Sequence, residues 1–105
     1  MRNRDAVLQL IRAHFQSEPS LTEAYFFERN GVVHLLEVNA AALPSGAILP
    51  FGFRPTKDTP FAVVMADVTP DEAQAIHDKK IPLPEGWDLS DADHVSRAQL
   101  INEAV

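Results

Sequence analysis

Histidine is the side chain most able to move protons near neutral pH, and this chain has four, at positions 14, 34, 77 and 94, and no cysteine. No two of them stand at a metal-ligand spacing: there is no HxH and no HExxH. His14 lies at the edge of an apolar helical stripe and His34 faces Phe27 across a predicted hairpin. At both positions packing with a satisfied hydrogen bond is preferred over chemistry. His77, next to Asp78, closes a predicted helix, where a cationic imidazole suits the dipole.

The densest polar stretch is EGWDLSDADH, residues 85 to 94, in which Glu85, Asp88, Asp91, Asp93 and His94 surround Trp87. Carboxylates at short spacing can bind calcium or magnesium, and Asp88, Asp91 and Asp93 are the cation ligands this stretch would offer. The stretch lacks the DxDxDG order, central glycine and distal glutamate of an EF-hand. Ser90 with Asp93 also reads as a capping box opening a terminal helix, so capping is the first reading of these acids. Nucleophile signatures are absent: there is no GxSxG and no SxxK. The four glycines, at 31, 46, 52 and 86, are too scattered for a phosphate loop. Without cysteine, thiol catalysis, disulfides, zinc fingers and iron–sulfur ligation are excluded together. No cofactor is expected.

A different kind of site is suggested by AILPFGFRP, residues 47 to 55. Phe51 and Phe53 alternate with Gly52, with Arg54 beside them, and aromatics plus arginine on a stiff segment are what protein interfaces use. A core strand is the first reading of the two phenylalanines, since a small domain needs its aromatics inside. The interaction surface read from the sequence comprises Phe51, Phe53, Arg54, Trp87, Asp88 and Asp91.

The elements that must position these residues follow from periodicity. Residues 3 to 16 predict an amphipathic helix, with Val7, Leu8, Ile11 and Phe15 at helical spacing, Asn3 as N-cap, and Pro19 after it. AYFFERNGVVHLLEV predicts a hairpin turned at Asn30-Gly31, pairing Arg29 with Val32, Phe27 with His34 and Tyr25 with Leu36. Both of its faces are apolar. A helix capped by Ser20 and Glu23 is the second reading of that segment. Residues 47 to 54 predict a short strand, and Pro50 places it at an edge or a bulge. Phe61 to Val68 predict a buried strand paired with it. Thr69-Pro70-Asp71-Glu72 predicts a helix start with a capping box, and Lys79 and Lys80 suit its end. Val95, Ala98, Ile101 and Val105 form the stripe of the terminal helix. The expected fold is one α+β domain over 1–105, a mostly antiparallel four-stranded sheet with helices on one face, in the order α-β-β-β-β-α-α.

Length and charge agree with this. The 105 residues are 46% hydrophobic and 23% charged, enough for one core and too apolar for a disordered chain. The formal net charge of -6 lies entirely beyond residue 66, where nine acids face Lys79, Lys80 and Arg97. That half would repel a polyanion, so nucleic acid is disfavoured as a partner. No apolar run reaches the roughly 20 residues of a membrane span. The interleaved charges of MRNRDAVLQLIRAHF do not make a secretory leader, so a cytoplasmic location is expected.

The stretch AVLQLIRAHFQSEPSLTEAYFFERNGVVHLLEV, residues 6 to 38, resembles the start of the C-terminal domain of the enhanced serine sensitivity protein family: a helix, an Ala-Tyr strand and its return strand. The resemblance implies an interaction domain and transfers no catalytic residue. The sequence therefore reads as a non-enzymatic interaction domain that self-associates as a homodimer and meets a protein partner through a basic patch on that partner. The alternative is a small enzyme or ligand-binding protein with a pocket between sheet and helices that uses His34, His77 or Asp88. Cation binding at Asp88, Asp91 and Asp93 is the third reading. A catalyst would be signalled by an imidazole and a carboxylate meeting inside a shielded hollow.

Overall fold

The computed structural model describes residues 3–43, 50–53 and 61–102. Their elements are α1 (Arg4–Ser17), β1 (Leu21–Arg29), β2 (Val32–Asn39), β3 (Phe51–Phe53), β4 (Ala62–Val68), α2 (Pro70–His77), β5 (Asp93–Ser96) and a π-helical turn at Ala98–Asn102. The strands form one sheet in the order β3-β4-β2-β1-β5. The fold is α+β, as its periodicities predict, but the sheet is mixed and has a fifth strand.

The hairpin forms in the predicted register, Tyr25 opposite Leu36 and Phe27 opposite His34. Asn30 and Gly31 take φ of 52° and 78°, the left-handed pair that a two-residue turn requires. Two apolar faces on one hairpin force the rest of the architecture. A strand apolar on both sides must be central and covered twice. β2 is accordingly flanked by β1 and, in parallel, by β4, with Val33 beside Val63 and Leu35 beside Met65. A parallel neighbour needs a long crossover, and β3, which lies between β2 and β4 in the chain, stands at the far edge. There β3 pairs antiparallel with β4, Phe51 opposite Met65.

Helices therefore cover both faces, not one. On the first face Val7, Ile11 and Phe15 of α1 pack on Phe26, Val33, Leu35 and Val63. Phe15 and Phe26 are fully buried, each stabilising the fold by roughly 1.5–3 kcal/mol through surface removed from water. On the second face α2 and residues 81–92 lie over Phe27, Leu36, Val38 and Ala66.

The expected terminal helix is also corrected. Asp93–Ser96 is a strand, β5, antiparallel to β1 with Val95 opposite Ala24. Val95 is buried while His94 is exposed, an alternation with the period of a strand, and β1 would otherwise end the sheet as an unpaired apolar edge. Among the described residues the stripe begun by Val95 continues as the π-helical turn, in which Leu100 joins the first-face core, and Val105 lies outside them. Asn3 does not cap α1 with its side chain; its amide donates to Glu28 Oε2 at 3.3 Å. The capping box of α2 forms as predicted: Glu72 N–H donates to Thr69 Oγ1 at 3.1 Å, and Thr69 N–H to Glu72 Oε1 at 2.9 Å.

Candidate binding recess

The second face is covered unevenly. α2 is eight residues long, too short to span the sheet, and the chain completes the cover with residues 81–92, which form neither helix nor strand. Pro82 and Pro84 keep this strap extended, and Gly86, at φ 87°, turns it. Trp87, only 9% exposed, pins it to the sheet. The indole meets the rings of Phe27 and His34 edge-on, at centroid distances of 6.0 and 5.3 Å. His34 itself stacks on Phe27 at 4.8 Å and 10°. Arg29 extends the cluster, with its guanidinium 5.6 Å from the Phe27 centroid and Nη2 3.7 Å from Asp88 Oδ2.

Between this pin and α2 the strap stands off the sheet and leaves a cavity of about 570 Å³. That volume lies within the range of small-molecule sites, roughly 300–1,000 Å³. Tyr25 and Leu36 from the sheet, Ile76 from α2, and Leu83 and Leu89 from the strap form its apolar walls. Burial, with the nearby Glu23 carboxylate adding to it, pushes the Tyr25 hydroxyl above its usual range.

Four polar residues border the cavity: His77, Lys79, Asp88 and Ser90. Asp88 is engaged by its own loop. Its Oδ1 accepts from Ser90 N–H at 2.9 Å and Ser90 Oγ at 2.7 Å, an Asx turn that holds the carboxyl below the usual range. Lys79 ends α2 in a Schellman motif: its N–H donates to the Ile76 carbonyl at 3.0 Å and Lys80 N–H to the Ala75 carbonyl at 2.8 Å. The motif places Lys79 at φ 62°. Among the described residues its ammonium has no ion-pair partner.

The first face holds a different polar feature. Glu37 is 2% exposed on β2, and His14 Nδ1 on α1 lies 2.8 Å from its Oε2. This hydrogen bond is the main reason that His14 is raised above the ordinary imidazole range, against the opposing effect of its burial. His14 is thus the partner of a buried acid, a stronger role than packing. Asp67 is beside Glu37 in the β2–β4 register. Desolvation first, then the carboxylates of Glu37 and Glu18, push it above its usual range. A buried carboxylate orienting an imidazole is part of a catalytic relay, but neither His14 nor Glu37 lines the cavity. A second imidazole–carboxylate contact, His94 Nε2 to Glu23 Oε1 at 2.8 Å, is exposed at the surface.

The structure thus brings His77 and Asp88 to one cavity and keeps His34 out of it, stacked on Phe27 with Nδ1 3.1 Å from the Val32 carbonyl. Asp91 and Asp93 border a separate recess of about 380 Å³ with Glu28 and Arg29, and Asp93 Oδ2 is 3.3 Å from Arg4 Nε. Among the described residues no group of three or more His, Cys, Asp or Glu is placed to hold a metal ion. A third recess, of about 470 Å³, lies at the start of α2. Phe51 and Phe53 belong to edge strand β3, and Arg54 lies outside the described residues. Among the described residues, no helix is long and apolar enough to cross a membrane.

Sequence reasoning passes over Glu37, Leu83 and Leu89. Glu37 had a signal: it is the one charge in HLLEV, on the same strand face as Val33 and Leu35. Leu83 and Leu89 had none, because an irregular strap has no period. Comparison of the chain with family models, curated proteins and solved structures finds no match.

Proposed function

We propose that this protein is a binding protein whose recognition site is the recess between the second face of the sheet, α2 and the strap. The supporting observation is a cavity of about 570 Å³ lined by apolar side chains from three separate elements, with His77, Lys79, Asp88 and Ser90 beside them. Apolar ligands gain from such a site by leaving water without having to open a packed core. At the border Ser90 Oγ donates to Asp88, whose carboxyl is held below its usual range and is a weak base. Recognition, not bond chemistry, is what these groups suit.

Titration with octanol, an uncharged apolar probe, followed by NMR tests the reading. Saturable shifts of Tyr25, Leu36, Ile76 and Leu83 are expected. Ala73→Phe, which fills the recess from half-buried Ala73 of α2, should abolish them while leaving the far-UV spectrum unchanged. Absence of saturable shifts in the parent protein would refute the site.

A second reading is favoured by the outer surface of the strap, where Glu85, Asp88 and Asp91 are exposed. These acids suit a protein partner with a basic patch, and electrostatic encounter of that kind weakens with salt. Capture of such a partner that is equally strong at low and physiological ionic strength would dismiss it.

A further inference from the structure

Lys79 occupies a backbone position that side chains avoid. The residue after the C-cap of a helix closed by a Schellman motif is left-handed and is usually glycine, because a Cβ there is strained. Lys79 sits in it at φ 62°, so the chain carries strain that a glycine would relieve. The same residue borders the apolar cavity. Of the charged groups at that border, Asp88 is already satisfied: Ser90 holds Oδ1 twice, and Arg29 stands by Oδ2. Among the described residues Lys79, which is exposed, is left without an ion-pair partner, in a chain whose formal net charge is -6. Its neighbour at the border, His77, adds a ring N–H donor.

We propose that the recess takes an amphiphilic carboxylate, with an alkyl or aryl body against Tyr25, Leu36 and Ile76 and its anionic head on the ammonium of Lys79. This rests on the binding reading above and specifies its ligand class. An anion is the complement of an unpaired cation beside apolar walls, and a hydrogen bond to a charged group discriminates more strongly than a neutral one. Strain retained at a site that meets a ligand is expected where the strained residue has a task other than stability.

Octanoate and octanol, titrated in parallel by calorimetry and NMR, separate the two layers of the argument. Octanoate should bind about threefold to fivefold more tightly than octanol, as pairing with an exposed ammonium implies. Lys79→Gly should melt at a higher temperature than the parent, having lost the strain, and yet bind octanoate about threefold to fivefold more weakly, with a clearly smaller loss for octanol. A purely structural lysine would give the first effect without the second. Equal affinity for the two probes, or unchanged octanoate binding in Lys79→Gly, would overturn the carboxylate assignment and leave the recess standing. Failure of both probes to bind would overturn the recess as well.

Discussion

The two faces of the sheet differ in how they are closed. On the first, a 14-residue helix lays Val7, Ile11 and Phe15 in register on the strands and buries all three completely. On the second, an eight-residue helix is completed by a strap pinned at one point by Trp87, and the gap becomes a cavity. A long amphipathic stripe seals a sheet because each turn supplies another buried contact. A short helix plus an extended strap fixes only the ends of the cover. The first face is thus a sealed core, and the second keeps an open cavity.

The largest effect that would sharpen this contrast is Phe15→Ala. It should destabilise the fold by about 3–5 kcal/mol in urea denaturation, since the ring lies in a sealed core with no room to relax. Leu83→Ala, at the half-buried wall of the recess, should cost below about 1.5 kcal/mol, because it enlarges a space already open to solvent. Equal losses at the two sites would erase the distinction between the faces.

A middle-sized effect is expected from the buried pair. His14→Ala removes the partner of a carboxylate that is 2% exposed and should cost about 2 kcal/mol at pH 6, below the 3–5 kcal/mol of a fully buried pair because His14 is partly solvated. The sign with pH follows from linkage. His14 is raised in the folded state above its unfolded value of 6.5, so its contribution is complete below that value and is lost as pH rises through the folded pKa. The gap between parent and variant should therefore narrow by pH 9, and a gap that widens would sink this account. Asp67, also raised when folded, acts in the same direction at lower pH: stability falls as pH climbs from its unfolded value through the folded one.

The smallest effect tests the hold of α2 over the recess. Thr69→Ala deletes one arm of the capping box and should cost about 1 kcal/mol. Weakened octanol binding in that variant would show that α2 frames the cavity, and unchanged binding would assign the framing to the strap.

Local chemistry made much of this molecule legible in advance. The 3.6-residue stripe of α1, the Asn30-Gly31 turn with its register, the β-branched run of β4 and the capping box of α2 all rest on contacts between near neighbours, and each is where its residues predict. So is the edge position of the strand at Phe51–Phe53, because Pro50 has no amide to give. The Ser90-Asp93 pattern misled because a capping signature is local, whereas the apolar edge of β1 that claims Asp93–Ser96 lies some 70 residues earlier in the chain.

By itself, then, the sequence determined the helices and strands that local periodicity can dictate, the absence of thiol chemistry and the acidic character of the C-terminal half. Tertiary structure alone decided that β4 runs parallel to β2, that His14 reaches Glu37, and that Tyr25, Ile76, Lys79 and Leu83 share one cavity. The physical reason is that burial and charge pairing act through space. Their partners are selected by which surfaces must leave water together, and no spacing along the chain encodes that choice.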